Sequence, residues 1–349
     1  MTDGAPVRIT GSKVSAINQS STSYDLQSDS FSHKQDTAQT VHQKNNNILY
    51  GKPIARRILN ECQNECAEFV NKYQCRPRLV TVLVGGNESS KLYVRNKQRI
   101  AEHVGIDFQV INQLMHTTPS QLINTIQSLN NDDSVDGIIL QLPLPLHLID
   151  KTEQFIDIIR ADKDVDAHTS SNGYLYRQSP PPLVTIPVVA AVREMLLEIG
   201  EPLQGKDVVV IGRSKYVGTP LALMLSQSST TAKNSLVSGA TVTICHRHTH
   251  LSNLTWYCKN ADVIVSAVGR PKLITQRMVK KDAIVIDVGI SKSWTDKAVA
   301  QNKQFVGDVD FHDVQRVARW ITPVPGGVGQ VTIACLISNL LRLARHRRQ

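Results

Sequence analysis

The chain has 349 residues, 41% of them apolar, 5% aromatic, and a net charge of +9. That length suits two ordinary domains with full cores, and no apolar run approaches the roughly 18 residues of a membrane helix. Six scattered cysteines without a CxxC pair exclude a zinc finger and read as free thiols, while few aromatics and no recognition motif argue against nucleic acid.

Residues 1–47 are rich in Ser, Thr, Asn, Gln and Asp and are expected to be disordered. Arg8, Lys13, Lys34 and Lys44 are matched by Asp3, Asp25, Asp29 and Asp36, which makes a weak mitochondrial presequence. Order is expected from Ile48, ahead of a helix carrying Ile54, Ile58, Cys62, Cys66 and Phe69. The run LVTVLVGG (Leu79 to Gly86) reads as a buried strand, followed by the helix SSKLYVRNKQRIAEHVGI. On that helix Tyr93, Lys97, Ile100, Ala101 and Val104 share one face, so a lysine interrupts an apolar stripe. Such a lysine either snorkels to water or sits in a dry cleft as an acid or base, with Tyr93 a flat wall for a ring-shaped substrate. The strand IDFQVI, the helix PSQLINTIQSLNND and the strand Val135 to Pro145 follow, and helices between strands imply a parallel sheet. A domain over 48–180 is expected, ending at SPPPLVTIP.

A second domain over 181–329 opens with the helix VVAAVREMLLEIG, then the strands DVVVIG, TVTIC, DVIVSAVG and AIVIDVGI, a four-strand nucleotide-binding-like layout. The last helix, about Gln330 to Arg345 within a 330–349 segment, is expected to return to the first domain. Its basic ending, with Arg342, Arg345, Arg347 and Arg348, suits a helix C-terminus. The fold class is α/β: two mainly parallel sheets flanked by helices, the second Rossmann-like, with a cleft between the domains.

Gly212, Arg213, Ser214, Val217 and Gly218 lie between a strand and a helix, the place of a phosphate-binding turn or of a plain strand-to-helix turn. Gly269 and Gly289, the latter followed by Ile290, end later strands, where glycine lets backbone approach a ligand. After TVTIC stand His246, Arg247 and His248, a basic trio suited to the 2'-phosphate of NADP, to an inorganic ion, or to solvent. ADKDVDAH lacks the glycine and glutamate of a calcium loop, so no metal site is expected; its acids either bind a heterocycle or form turns. ITPVPGGVGQVT sets Pro325, Gly326 and Gly327 before the last helix, for close backbone approach or a tight turn.

These stretches closely resemble the methylenetetrahydrofolate dehydrogenase/cyclohydrolase family, through SKLYVRNKQRIAEHVGI, VDGIILQLPLP, DKDVD, VVVIGRSKYVGTPLALML, ATVTICHR, ADVIVSAVGRPKLI, AIVIDVGI, GDVDF and ITPVPGGVG. LNNDD and CHRHT are most similar to the mitochondrial bifunctional branch. The resemblance implies oxidation of 5,10-methylenetetrahydrofolate with NAD or NADP, then hydrolysis of the methenyl form to 10-formyltetrahydrofolate. It implies Lys97 as the catalytic group, Gln141 assisting it, Tyr93 stacking on the folate, Asp166 anchoring the pterin, and Ser90, Pro325, Gly326 and Gly327 lining the substrate cleft. It implies cofactor contacts at Gly212, Arg213, Ser214, Arg247, Gly269, Gly289 and Ile290, with Mg2+ and phosphate if the enzyme uses NAD. It further implies polyglutamylated folate partners, a homodimer with neither nucleic acid nor membrane, and a mitochondrial location, with the cytoplasm as alternative.

The chain departs from the family pattern at four places. Ala167 replaces the glycine of DVDG, IPVVAA (Ile186 to Ala191) replaces a threonine- and glycine-containing segment, Gln330 replaces a proline, and Gly239 replaces an acid that in the mitochondrial branch helps hold magnesium and phosphate. The first two motivate an alternative expectation, a folate- or nucleotide-binding pseudoenzyme. Gly239 points to direct use of NADP.

Overall fold

The computed structural model describes residues 47–86, 88–174, 183–228, 235–292 and 305–349. The expectation of disorder over 1–47 therefore falls, apart from Asn47, outside the described residues.

Helix α1 (Gly51–Tyr73) buries Ile54, Ile58, Cys62, Cys66 and Phe69, the i, i+4 and i, i+3 stripe read from the sequence. Strand β1 (Arg78–Val84) is buried at every position but the first, as a strand covered on both faces must be. Helix α2 (Glu88–Val104), β2 (Asp107–Gln113), α3 (Pro119–Asn131) and β3 (Gly137–Leu140) complete a three-stranded parallel sheet in the order β2-β1-β3. Thr118 and Gln121 form a reciprocal capping box at the start of α3. Short helices α4 (Leu146–Ile149), α5 (Thr152–Ile158) and α6 (Ser170–Tyr174) follow.

Helix α7 (Pro187–Ile199) leads to β4 (Asp207–Ile211), α8 (Gly218–Ser226), β5 (Thr241–Cys245), α9 (Leu251–Asn260), β6 (Val263–Ser266) and β7 (Ile284–Asp287). A two-residue antiparallel pair, β8 (Ser291–Lys292) with β9 (Phe305–Val306), precedes α10 (Phe311–Val314), β10 (Trp320–Ile321) and α11 (Val328–Arg347). The second sheet is parallel throughout, in the order β10-β7-β6-β4-β5. It has five strands, not the expected four: β10 is two residues long and sits before a proline-glycine loop, so no apolar run announces it. The order, with β4 in from one edge, is that of a Rossmann-like half.

Helix α11 starts two residues earlier than expected and runs to Arg347, packing along α1 and α7. Its basic end is tied down: Arg345 pairs with Glu65 and Glu68, Arg347 with Asp162 at 2.8 Å, and Arg348 with Asp136 at 3.4 Å. The altered 186–191 segment is packing material, since Val189 and Ala191 are fully buried on the inner face of α7. No helix among the described residues is long and apolar enough to cross a membrane.

Candidate active site

Ser90, Tyr93 and Lys97 project from α2 at helical spacing, and Gln141 from the residue after β3. Lys97 is 4% exposed and does not snorkel; its ammonium donates to Gln141 Oε1 at 3.2 Å and lies 5.0 Å from the centre of the Tyr93 ring. Gln141 Nε2 donates to the Leu142 carbonyl at 2.8 Å, which turns the amide oxygen toward the lysine. Ser90 is buried and lies two helical turns before Lys97 on the same face of α2.

Burial pushes the Lys97 ammonium toward release of its proton, and the nearby Asp166 carboxylate partly opposes that shift. The Tyr93 phenol is pushed up to about 12 by burial and then by Asp166, so it stays neutral. Lys97, Tyr93, Gln141 and Asp166 thus form one cluster at the carboxyl edge of the first sheet.

The three acids of ADKDVD take three different partners, an arrangement unlike a shared cation loop. Asp162 pairs with Arg160 and Arg347. Asp164 is buried and accepts from the Thr169 amide at 2.8 Å and from Asn172 at 3.0 Å. Asp166 faces the lysine cluster. Between them Lys163 is fully buried and donates to the carbonyls of Leu129, Asn130 and Asp132 at 2.7–2.9 Å, closing the C-terminus of α3. Ala167 does take φ +53, so the methyl group sits in the strained left-handed region, at about 1–2 kcal/mol.

The carboxyl edge of the second sheet gathers the predicted cofactor residues. Gly212 has φ +123, and a Cβ there would lie 2.6 Å from the Ala267 carbonyl oxygen; a Cβ on Gly218 would strike the Gly212 carbonyl. The turn is therefore drawn tight between β4 and the first turn of α8, at the strand-to-helix position where Rossmann-like folds place their phosphate-binding turn. Arg213 and Ser214 are exposed on this turn. Arg247 is exposed after β5, its guanidinium donating to His248 at 3.1 Å. Arg213 also acts on His246, whose ring is held below its usual range by partial desolvation and by this charge. These residues fit the diphosphate and adenosine end of a dinucleotide.

Gly269 follows β6 and Gly289 follows β7; Ile290 beside it is 60% exposed. Two buried carboxylates that the sequence reading left without a role build these turns. Asp308 accepts from Ser266 Oγ at 2.9 Å and from the amides of Val268, Gly269 and Arg270 at 2.8, 3.3 and 2.7 Å. Asp287 accepts from the amides of Gly289, Asp308 and Val309 at 3.0, 3.1 and 2.9 Å. The two lock reciprocally, since a Cβ on Gly289 would strike the Asp308 carboxylate and a Cβ on Gly307 the Asp287 carboxylate. The available signal was an acid beside or two residues before a glycine in both VIDVGI and GDVDF.

Burial raises the Asp287 carboxyl from 3.8 to about 7, with Asp308 adding to the rise and the backbone amides opposing it. An acid whose pKa is higher folded than unfolded stabilises fully below its unfolded value and loses that contribution as pH rises through the folded one. Unfolding free energy from urea titrations should therefore decline between about pH 4 and pH 7. Asp287→Asn should flatten that decline; an unchanged slope would show that another group titrates there.

Pro325, Gly326 and Gly327 make mainly structural contacts. The Gly51 amide donates to the Gly326 carbonyl at 2.8 Å, and Gly327 is buried against Pro323 and the start of α1. Gly239 has φ +77, and its amide donates to the Gln227 carbonyl at 2.8 Å; the turn before β5 therefore suits glycine rather than the family's acid.

Two family models match the chain: the tetrahydrofolate dehydrogenase/cyclohydrolase catalytic domain over residues 49–166, and its NAD(P)-binding domain over residues 187–348. The mitochondrial bifunctional methylenetetrahydrofolate dehydrogenase/cyclohydrolase of Gallus gallus is 40% identical over 300 residues, covering 85% of this chain and 86% of that protein. The bifunctional protein FolD of Dichelobacter nodosus is 39% identical over 301 residues, covering 85% and 96%. Among solved structures, a 5,10-methylenetetrahydrofolate dehydrogenase from the silkworm Bombyx mori matches with a TM-score of 0.77 at 40% identity, covering 86% of this chain and 98% of that one. The Trypanosoma brucei dehydrogenase-cyclohydrolase, complexed with NADP and an inhibitor, matches with a TM-score of 0.78 at 32% identity, covering 86% and 98%. With a buried lysine held by a glutamine on one sheet edge and a glycine-turned dinucleotide edge on the other sheet, the chain belongs to the tetrahydrofolate dehydrogenase/cyclohydrolase family.

Proposed function

We infer that this protein is a bifunctional enzyme that oxidises 5,10-methylenetetrahydrofolate to the methenyl form with NAD(P)+ and hydrolyses that form to 10-formyltetrahydrofolate. The observation that carries the reading is the buried Lys97–Gln141 contact beside Tyr93. Nothing in the comparisons favours the pseudoenzyme alternative.

In this reading Tyr93 stacks on the folate, Asp166 accepts from the pterin N–H groups, and Ser90 lines the cleft. When bound, NAD(P)+ supplies the hydride acceptor. For hydrolysis, water adds to the one-carbon bridge, one bridge C–N bond breaks, and a proton must reach the departing nitrogen. Lys97 moves that proton: burial favours its neutral amine, and Gln141 fixes the direction of its N–H. A cationic substrate beside it disfavours the ammonium further.

The Gly212–Ser214 turn holds the diphosphate, and Gly269, Gly289 and Ile290 face the nicotinamide end. Arg247 takes the 2'-phosphate of NADP, with Gly239 in place of the acid that an ion bridge uses; Mg2+ and phosphate become necessary only if NAD is preferred. Arg247→Ala is expected to raise KM for NADP about tenfold or more while leaving that for NAD within twofold, as expected when a charge-assisted contact worth about 1.5–3 kcal/mol is lost. Equal effects on both cofactors would remove the assignment.

The protein is proposed to act in the mitochondrion, in line with relatives named as mitochondrial, and, by the family resemblance, as a homodimer on polyglutamylated folates. The deciding assay is methylenetetrahydrofolate oxidation with NAD and NADP in parallel, each with and without magnesium and phosphate. Absence of turnover in folded protein under all four conditions would overturn the proposed function.

A further inference from the structure

We propose that Tyr216 is a positioning residue that clasps the dinucleotide turn to the Asp166 loop, so that cofactor and folate each tighten the binding of the other. This rests on the proposed assignment of those two segments to cofactor and folate.

Tyr216 follows Arg213 and Ser214 on the turn between β4 and α8. Its side chain does not stay with its own sheet. It packs against the apolar cluster of the first sheet that contains Leu144, Leu148 and Phe155, and its ring centre lies 4.4 Å from that of His168, tilted by 42°. Offset or tilted ring pairs at this distance are specific contacts beyond simple burial.

His168 in turn sits two residues after Asp166 and next to Ala167 at φ +53. The loop is held from within by Asp164, which accepts from the Thr169 amide. Beside it Lys215 pairs with Glu153 of α5, and its ammonium lies 5.0 Å from the centre of the Tyr216 ring. That ion pair is largely exposed and contributes little by itself.

A ligand that orders the 212–218 turn orders Tyr216, hence His168 and the Asp166 loop; a folate that orders the loop acts back through the same stack. Coupling of this kind is reciprocal, with factors of about 5 to 150. A tyrosine with only a packing role would change stability and leave the coupling alone.

The test measures Kd for NADP+ with and without saturating tetrahydrofolate, in the full chain and in Tyr216→Ala, Tyr216→Phe and His168→Ala. The parent should bind NADP+ about fivefold or more tightly when tetrahydrofolate is present. Tyr216→Ala and His168→Ala should bring that factor to within twofold of unity, and Tyr216→Phe should keep it. His168→Ala carries the test if Tyr216→Ala does not fold.

Hydrogen exchange without ligands supplies an independent reading: the Thr169 and Asn172 amides should exchange about tenfold faster in Tyr216→Ala. Unchanged exchange overturns the clasp whatever the ligands do. Faster exchange in a protein whose parent binds neither ligand would instead sink the functional assignment and the coupling with it. Parent-like coupling in both alanine variants would sink the coupling alone.

Discussion

Lys97→Met is expected to fold at least as well as the parent and to lose cyclohydrolase turnover by about 10²- to 10⁴-fold, the range of a missing general acid–base group. Methionine matches the length of the lysine stem and fills the same space beside Tyr93 and Gln141. At 4% exposure, the lysine bears a desolvation cost that the thioether does not, while for the neutral amine that burial favours the hydrogen bond to Gln141 returns only about 1 kcal/mol. Stability should therefore hold or rise, and the loss of activity cannot be assigned to unfolding. Oxidation by NAD(P)+ should suffer less, because hydride transfer asks mainly for positioning. The comparison to make is single-turnover hydrolysis of methenyltetrahydrofolate against steady-state oxidation in the same preparation. Equal turnover of the parent and the variant in hydrolysis would remove Lys97 from the chemistry.

The second large effect is structural. Asp308→Ala removes the acceptor for three consecutive amides and the Ser266 hydroxyl, all around the turn after β6. Each buried donor left without a partner costs about 1–3 kcal/mol, and the turn recovers part of that by opening to water, so the expected loss is about 3–5 kcal/mol. The urea midpoint reads the loss directly. Because the turn carries Gly269, the surviving folded enzyme should also show a higher KM for NAD(P)+ than the parent while its KM for folate changes little. A fall in stability with both KM values unchanged would separate Asp308 from the cofactor edge. Asp308→Asn keeps one acceptor and presents a donor to the other amides, so it should fall between the two.

How much of this could be read from the sequence differs by the kind of interaction. The α/β alternation was legible because buried strands such as RLVTVLV and DVVVI are continuous apolar runs, and helices such as α1 repeat at 3.6 residues. Lys97 was legible because a charge on an apolar stripe is an anomaly that needs a cause. Strand β10 was not, since two residues make no pattern. Lys163 escaped notice among three aspartates, because its role depends on where α3 ends rather than on its neighbours in sequence. The Asp287–Asp308 lock and the Tyr216–His168 stack join residues far apart in the chain, and local periodicity carries no information about such pairs. Ala167 stood out in the sequence only as a replacement of the family glycine; its φ of +53 became visible in the structure.

The place of α11 has a consequence for the order of synthesis. Its apolar side closes the core that α1 opens, yet about 250 residues separate the end of one helix from the start of the other. At roughly 5–20 residues per second, a ribosome takes some 10–50 s to deliver the missing wall. During that interval Ile54, Ile58 and Cys62 of the nascent chain lack their final neighbours, while the strands of the second sheet all come from one contiguous stretch, Asp207 to Ile321. The half made first is thus the half completed last, and it is the nascent first half that would most need shelter by a chaperone.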